Sequence, residues 1–228
     1  MERNDKLKNY VLNQFPTRED IEFLSDPLLE YVLDEKHAAL CKITEYLYIT
    51  SIGGITERNF EEHNFTTLFD MSKRPFYIPC KSIEFYKYDI EDTEDADISH
   101  VFDTFADKVH SNSNNQKKTL VHCYAGVSRS ATLVLAYLMK YEKLNLRDAF
   151  NYLRERRPVV RPNNGFFKQL IAYELKLFGK TSVHMIELCD ETKRLRIIVP
   201  NIFDGRKDLL DWEFDRAQKK LVESGSCR

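Results

Sequence analysis

The sequence predicts an α/β fold with a central, largely parallel sheet flanked by helices, followed by a C-terminal hairpin extension. Between residues 41 and 179, short segments rich in β-branched and aromatic residues alternate with longer segments of helical periodicity, which is typical of layered α/β folds. After Gly179, two apolar runs flank a polar turn at residues 190–193, the pattern of a hairpin. Hydrophobic residues make up 43% and charged residues 31% of the 228 residues, an ordinary globular balance.

Four regions follow from these changes of pattern. Residues 1–40 are polar with helically spaced apolar residues, and we expect a helical extension that packs on the domain as a cap, with a docking arm as the alternative. The main domain spans residues 41–179, and the hairpin extension spans residues 180–203. Residues 204–228 are highly charged and are expected to form a partly ordered tail.

The strands of the main domain are predicted from short runs of apolar, aromatic and β-branched residues. They cover residues 46–50, 66–70, 85–90 and 119–123. Helical periodicity predicts helices at residues 56–63, 98–110, 128–142, 146–156 and 163–177. Gly179 follows the last helix in the position of a C-cap glycine, and the hairpin strands are predicted at residues 183–188 and 195–199.

Charge, leader and cysteine content argue against several classes of protein. The net charge is −2, with 34 Lys+Arg against 36 Asp+Glu, which gives no basis for a nucleic-acid partner. The first residues, MERNDKLKNY, lack the apolar part of a secretory signal, and the longest apolar stretch, residues 131–139, is about half of a membrane span. The five cysteines and six histidines show no metal or disulfide spacing, so we expect reduced thiols, no metal and a cytoplasmic location, with the nucleus as second option.

The residues that carry chemistry lie where the predicted strand 119–123 meets the next helix. Cys123 ends the strand, and Arg129 follows after five residues in the sequence VHCYAGVSRSA. A loop between a strand and a helix N-terminus can turn its N–H groups inward and form a nest for a phosphate dianion. Gly126 supplies backbone freedom, and the guanidinium of Arg129 can bind two phosphate oxygens. Loop and helix together favour the thiolate form of Cys123.

We therefore predict that Cys123 attacks phosphorus while Arg129 holds the phosphate. The phosphate-binding loop comprises Tyr124, Ala125, Gly126, Val127, Ser128 and Arg129. Ser130 can donate a hydrogen bond to the sulfur and help it to leave, and His122 is expected to order the loop because the nucleophile is already ionised. The opposing interpretation, a buried core cysteine, explains neither the glycine nor the arginine at these offsets.

The leaving oxygen also needs a proton, and the acidic segment at residues 91–97 (EDTEDAD) can supply one. This segment lies between a predicted strand and a predicted helix, where a loop can cover the phosphate pocket. The spacing by itself does not choose among its carboxylates, and Asp97 is also a candidate N-cap for the next helix.

Residues 122–130, HCYAGVSRS, match the HCxxGxxRS signature of protein tyrosine phosphatases, and the flanking LVHC, SRSAT and AYLM resemble the dual-specificity phosphatases. Residues 154–170, RERRPVVRPNNGFFKQL, resemble the closing helices of that domain. LFGK followed by a Val-rich hairpin resembles the small atypical members in particular. The resemblance covers about residues 41–200 and makes residues 41–179 the catalytic domain.

The resemblance implies a protein tyrosine phosphatase-like fold that hydrolyses phosphotyrosine, and phosphoserine and phosphothreonine, in phosphorylated proteins. It implies a phosphocysteine intermediate and no cofactor. It also implies that Asp92, ahead of Asp97, is the general acid and that Asn163 supports the phosphate loop, with a simple helix cap as the alternative for Asn163. For Arg157 and Arg161 we expect solvated surface, with contact to substrate charge as the alternative.

Other functions share this loop. A phosphoprotein-binding module with weak turnover is the main alternative, but degenerate modules usually lose the nucleophile or the arginine, and Cys123 and Arg129 are both present. A phosphatase acting on RNA 5′ ends is expected to carry a basic platform, which the net charge of −2 does not indicate. A phosphoinositide phosphatase is expected to carry basic residues in the loop, but Tyr124, Ala125 and Val127 are not basic. We therefore expect a phosphorylated protein as partner, no nucleic acid and no membrane span. The sequence does not indicate an oligomeric state.

Overall fold

The computed structural model describes residues 34–73, 78–80, 82–192 and 194–223. Most of the predicted N-terminal extension lies outside the described residues, as does Cys227. The elements are numbered within the described part, where the first is a short helix, α1, at Glu35–Ala38 that begins after the N-cap Asp34.

A five-stranded sheet with the order β1-β2-β5-β3-β4 forms the centre of the domain. Its strands are Cys41–Lys42 (β1), Leu47–Ser51 (β2), Phe65–Asp70 (β3), Glu84–Lys87 (β4) and Lys118–Cys123 (β5). β1 pairs antiparallel with β2, and the remaining pairings are parallel, so the predicted largely parallel sheet is confirmed. β5 lies in the middle of the sheet, which explains why its residues 119–123 are all buried.

Each helix predicted between residues 56 and 177 is present. The helix at 146–156 has the predicted bounds, and the others have shifted ends. These helices are Glu57–His63 (α2), Phe102–Asn114 (α3), Arg129–Lys140 (α4), Leu146–Arg156 (α5) and Asn164–Phe178 (α6). α3 starts later than predicted because a 3-10 turn, Ser99–Val101, precedes it. Gly179 ends α6 with a φ of 69°, as expected for a C-cap glycine. None of the helices in the described ranges is both long and apolar enough to cross a membrane.

The sheet separates a large core from a smaller one, because successive strand residues point to opposite faces. Ile49, Phe69 and Val121 point to the face covered by α3 to α6 and are fully buried there. The opposite face, which α2 covers, carries a cluster of Tyr48, Phe60, Phe65, Leu68 and Leu120. Every residue of α4 from 129 to 139 is buried, so the helix that follows β5 is held in place on all sides.

The C-terminal part adds a hairpin and one more helix. Met185–Asp190 (β6) and Leu195–Pro200 (β7) pair antiparallel, which confirms the predicted hairpin. Where the sequence analysis expects a partly ordered tail, residues Lys207–Glu223 form helix α7. Its Leu209 is buried, and Phe214 packs against the main core. The high charge conceals this helix in the sequence, because most of its charged side chains, Glu213 excepted, lie on the more exposed face of the helix.

Candidate active site

Cys123 lies at the carboxyl end of β5 and is only 1% exposed. Since β5 is bonded to β2 on one side and to β3 on the other, the position at which the chain leaves the sheet is fixed. The Oγ of Ser130, in the first turn of α4, lies 3.2 Å from the Sγ of Cys123, in position to donate a hydrogen bond. The structure therefore brings together the predicted nucleophile and the predicted donor to its sulfur.

The loop at residues 124–128 turns its carbonyl groups toward the surrounding scaffold. The carbonyl of Tyr124 accepts a hydrogen bond from the N–H of Ile52 at 3.1 Å, and the carbonyl of Val127 accepts from the N–H of Arg161 at 2.9 Å. In a trans peptide the N–H points opposite to the C=O. The N–H groups that follow these carbonyls therefore face the other side of the loop, as a nest for an anion requires.

Arg157 holds the middle of the loop from behind. Its guanidinium donates to the carbonyls of Gly126 at 2.7 Å and Ala125 at 3.3 Å, and also to the carbonyls of His37 at 2.8 Å and Ala39 at 2.9 Å. Arg157 is only 1% exposed, so the expectation of solvated surface is wrong for this residue. A buried guanidinium must be hydrogen-bonded, and here backbone carbonyls supply the acceptors while the positive charge stays directly behind the loop.

Gly126 is required by its backbone conformation and by its surroundings. Its φ is 65°, in the left-handed region that favours glycine. A Cβ at this position would lie 2.4 Å from Nη2 of Arg157 and 2.5 Å from the carbonyl oxygen of Thr50. The glycine that the sequence motif singles out therefore permits the close approach of Arg157 to the loop.

Arg129 is the first residue of α4, and its side chain lies beneath the acidic segment. Nη1 donates to the carbonyl of Ile90 at 3.1 Å, and Nε lies 3.6 Å from Oδ2 of Asp92. Nε makes no hydrogen bond within the described residues. The guanidinium therefore retains donors for the two phosphate oxygens that its fork can bind.

Asp92 lies at the mouth of the site with its side chain 35% exposed. Its Oδ1 accepts hydrogen bonds from Oγ of Ser128 at 2.7 Å and from Nδ2 of Asn163 at 2.9 Å. These bonds fix one carboxyl oxygen against the phosphate loop and direct the other toward Arg129. The structure thus places the carboxylate that the resemblance selects beside the phosphate loop and Arg129.

The four other carboxylates of the acidic segment bind groups other than the phosphate loop. They pair as Glu91 with Lys73, Glu94 with Arg216, Asp95 with Thr93, and Asp97 with Ser99. Their partners lower the pKa of Glu91 and Asp97, since hydrogen bonds to a carboxylate favour its ionised form. Among the carboxylates of this segment, Asp92 is the one whose side chain bonds to the phosphate loop.

Asn163 fits both of the roles that the sequence analysis considers. Its Oδ1 accepts from the backbone N–H of Phe166 at 2.9 Å and caps α6. Its Nδ2 donates to Asp92 and also to the carbonyl of Thr93 at 3.1 Å, while its backbone N–H donates to Oγ of Ser128 at 3.1 Å. One side chain therefore joins the start of a helix, the acidic segment and the phosphate loop.

His122, directly before Cys123, is completely buried, and its Nε2 lies 3.5 Å from Oδ1 of Asp70. Burial lowers the pKa of His122 to about 3 and raises the pKa of Asp70 to about 6, because both charged forms lose their hydration. The carbonyl of His122 accepts from the N–H of Met71 at 2.9 Å. A neutral, buried imidazole in this position is consistent with the predicted ordering role.

Sequence reasoning missed two contributions to the site. Arg157 belongs to the basic run RERRPVVR, and its only distinguishing signal is that it directly precedes the apolar residues PVV. The guanidinium of Arg161 lies 3.3 Å from the ring centroid of Trp212, a residue of α7. No local pattern indicates that the charged C-terminal region returns to the site.

Comparisons with known proteins show the family to which the chain belongs. Residues 47–176 match the family described as "Dual specificity phosphatase, catalytic domain". The chain is 41% identical to bovine dual specificity protein phosphatase 18 over 152 residues, which cover 65% of this chain and 80% of that protein. It is 56% identical to mouse dual specificity protein phosphatase 14 over 104 residues, which cover 46% of this chain and 52% of that protein.

Solved structures show the same fold. Human DUSP28 matches with a TM-score of 0.58 and 25% identity, covering 60% of this chain and 94% of that one. The human tyrosine phosphatase-like serine/threonine/tyrosine-interacting protein matches with a TM-score of 0.56 and 28% identity, covering 60% of this chain and 96% of that one. The family match ends at residue 176, so the hairpin and α7 lie beyond it.

Proposed function

Because the chain belongs to the dual specificity phosphatase family and resembles its small atypical members, we propose that it hydrolyses phosphotyrosine, phosphoserine and phosphothreonine in proteins through a phosphocysteine formed on Cys123. One observation carries the assignment of residues. Side chains from β5, α4 and the acidic segment converge at one end of the sheet, with Ser130 3.2 Å from the sulfur and Asp92 bound to the phosphate loop.

In the first half of the reaction, the thiolate of Cys123 attacks phosphorus while the bond between phosphorus and the ester oxygen breaks. Asp92 gives its proton to that oxygen, which leaves as an alcohol or phenol. The negative charge on the three remaining phosphate oxygens is bound by the loop N–H groups, the N-terminus of α4 and the guanidinium of Arg129. These donors are already in position, so the transition state requires little reorganisation.

In the second half, Asp92 is a carboxylate and takes a proton from a water molecule, whose oxygen attacks phosphorus. The bond between phosphorus and sulfur breaks, and inorganic phosphate is released. As the bond between phosphorus and sulfur breaks, the sulfur becomes a thiolate, and a hydrogen bond from Ser130 stabilises the negative charge that develops on it. The cycle consumes one water molecule and restores both the thiolate and the acid, so the chemistry requires no cofactor.

The second candidate function is binding of phosphorylated proteins with weak turnover. One structural neighbour is a phosphatase-like protein named for its interactions rather than for an activity, which supports considering this function. The residue pattern favours catalysis, because Cys123, Arg129 and Asp92 are all present and lie together. A binding module would need the phosphate nest but not a carboxylate at the mouth of the site.

The free thiol that this mechanism needs supports a reducing location, and we retain the cytoplasm as the proposed compartment, with the nucleus second. Cys41, Cys80, Cys123 and Cys189, the cysteines among the described residues, are all free of disulfides. Phosphorylated proteins are the proposed partners, and nothing in the site favours a nucleic acid.

The test measures phosphate release from p-nitrophenyl phosphate and from phosphotyrosyl and phosphothreonyl peptides, with a chelator present. Wild type is compared with Cys123→Ser and Asp92→Asn. We expect no turnover by Cys123→Ser, and a loss of about 10²–10⁴-fold on peptides by Asp92→Asn, with a much smaller loss on the activated aryl ester. This ester has a good leaving group that needs little protonation.

A Cys123→Ser protein that still binds phosphopeptide would retain the nest without the nucleophile and would act as the matched binding control. A wild type that binds phosphopeptide without releasing phosphate would establish the binding module instead. Equal losses on both kinds of substrate in Asp92→Asn would remove Asp92 from the role of acid.

A further inference from the structure

Helix α7 lies outside the matched catalytic region, yet it contacts the segment that carries the acid. We propose that α7 braces the acidic segment over the active site, and that Arg216 is a positioning residue for Asp92 acting through Glu94. This inference rests on the proposed function, since it concerns the same acid. It adds a C-terminal element to a site that otherwise lies within residues 47–176.

The first contact is an ion pair between α7 and the acidic segment. Nη2 of Arg216 lies 2.9 Å from Oε1 of Glu94, and Nζ of Lys220 lies 3.8 Å from the same oxygen. The side chains of Arg216 and Glu94 are 22% and 38% exposed. Glu94 is two residues beyond Asp92. The ion pair with Arg216 therefore restrains the short backbone stretch that carries Asp92.

Arg216 is itself fixed from a second direction. Its Nη1 lies 3.7 Å from Oε2 of Glu213, which is only 4% exposed. That same oxygen accepts a hydrogen bond from Nδ2 of Asn164 at 3.2 Å. Burial raises the pKa of Glu213, while the charge of Arg216 opposes that shift. Arg216 is therefore linked to the buried start of α6 through Glu213 and to the acidic segment through Glu94.

The backbone of the acidic segment is also packed closely against the start of α6. A Cβ on Gly165, in the first turn of α6, would lie 1.9 Å from the carbonyl oxygen of Glu94. The Nδ2 of Asn163 donates to the carbonyl of Thr93 at 3.1 Å. The backbone at residues 93–94 thus rests on the start of α6, while the Glu94 side chain is held by α7.

A further contact joins α7 to the other side of the active site. Trp212 stacks on the guanidinium of Arg161 at 3.3 Å, and the N–H of Arg161 donates to the carbonyl of Val127 in the phosphate loop at 2.9 Å. Helix α7 is thereby connected to the acidic segment through Arg216 and to the phosphate loop through Trp212. Such a brace fixes the distance between the acid and the phosphate.

The brace predicts a specific kinetic signature. If Arg216 positions the acid, its loss should slow substrates with poor leaving groups and should spare substrates whose leaving group needs no proton. We expect kcat to fall about 3–10-fold on phosphotyrosyl peptide and on phenyl phosphate for Arg216→Gln, and less than 2-fold on p-nitrophenyl phosphate. A general loss of folding would slow all three substrates equally.

The experiment compares wild type with Arg216→Gln, Arg216→Lys and Lys219→Gln, each as the full chain. Lys219→Gln removes the same charge from an exposed residue of α7 that forms no ion pair within the part of the chain that the structure describes. We expect wild-type kinetics for Lys219→Gln and partial recovery for Arg216→Lys. In an Asp92→Asn background, Arg216→Gln should cause no further loss on peptide, because the acid that it positions is absent.

The outcomes separate the two proposals. If Asp92→Asn shows the leaving-group dependence but Arg216→Gln does not, the brace is refuted and the proposed function stands. If Asp92→Asn shows no leaving-group dependence, the assignment of the acid fails. An Arg216→Gln loss that is equal on all substrates, or that adds fully to the loss in Asp92→Asn, would also refute the brace.

Discussion

The phosphate loop and the acidic segment face each other across the active site, but they are held in different ways. The loop carbonyls are bound by the scaffold and by the buried side chain of Arg157. The acidic segment is held by the amide of Asn163 and by the partly exposed pair of Glu94 and Arg216. The loop is therefore part of the core, whereas the acidic segment is attached to the core by side chains.

The difference has a physical reason. The phosphate loop must present several N–H groups to one anion at the same time, which requires a backbone fixed by buried partners. The acid must approach an oxygen that belongs to a variable substrate, so a partly exposed segment with adjustable side-chain contacts is suitable. Changes on the loop side should affect folding and every substrate, while changes on the acid side should affect only substrates that need a proton.

The largest expected effect comes from Arg157→Met. This substitution leaves the carbonyls of Gly126, Ala125, His37 and Ala39 without their buried donor. We expect the free energy of unfolding to fall by about 3–5 kcal/mol, and kcat to fall on all substrates alike. Urea unfolding and phosphate release measure the two quantities.

Arg156→Met is the matched control for that substitution, because it removes the neighbouring arginine, which is 35% exposed. Its free energy of unfolding should change by less than about 1 kcal/mol. Wild-type stability of Arg157→Met would mean that the loop is held by its own backbone.

The second effect is a pH dependence of stability that comes from the buried carboxyl of Asp70. The pKa of Asp70 is raised from 3.8 to about 6 by burial, so its contribution to stability is fully present below pH 3.8 and is lost as the pH rises through about 6. The loss amounts to about 2–3 kcal/mol. Asp70→Asn lacks this titration. Its free energy of unfolding, relative to that of wild type, should therefore increase as the pH rises.

Unfolding curves of Asp70→Asn and wild type at pH values from about 4 to 7 measure this difference. His122, whose pKa is lowered to about 3, is present in both proteins, and its titration acts in the opposite direction. A constant difference between Asp70→Asn and wild type across this pH range would contradict a buried carboxyl with a raised pKa.

The smallest of these effects concerns the acid side. Asn163→Ala removes the donor to Asp92 and the cap of α6. We expect kcat on phosphotyrosyl peptide to fall about 10-fold, with little change on p-nitrophenyl phosphate, and stability to fall by about 1 kcal/mol.

Asn145→Ala serves as its control, because Asn145 caps α5 in the same way but lies away from the acid. It should show the loss of stability without the kinetic change. Equal kinetics for the two variants would show that Asn163 is only a cap.

The sequence by itself determined the layered α/β architecture, the hairpin and the position of the proposed nucleophile. These conclusions depend on local patterns: strand runs, helical spacing, and the offsets that join Cys123, Gly126 and Arg129. Local patterns are visible because backbone conformation and the strand-loop-helix geometry depend on residues close together in the chain. The family resemblance added Asp92, which no spacing rule selected.

Only the tertiary structure decided how the site is held. Asp92 and Asn163 are 71 positions apart, and Arg157 bonds to residues 31 and 120 positions away. The sequence does not distinguish a buried arginine from a solvated one, because the hydrogen-bond acceptors that permit burial come from distant parts of the chain. Helix α7 is the clearest case, because its high charge predicts a partly ordered tail. In the structure, Leu209 and Phe214 pack against the core and Arg216 forms an ion pair with Glu94.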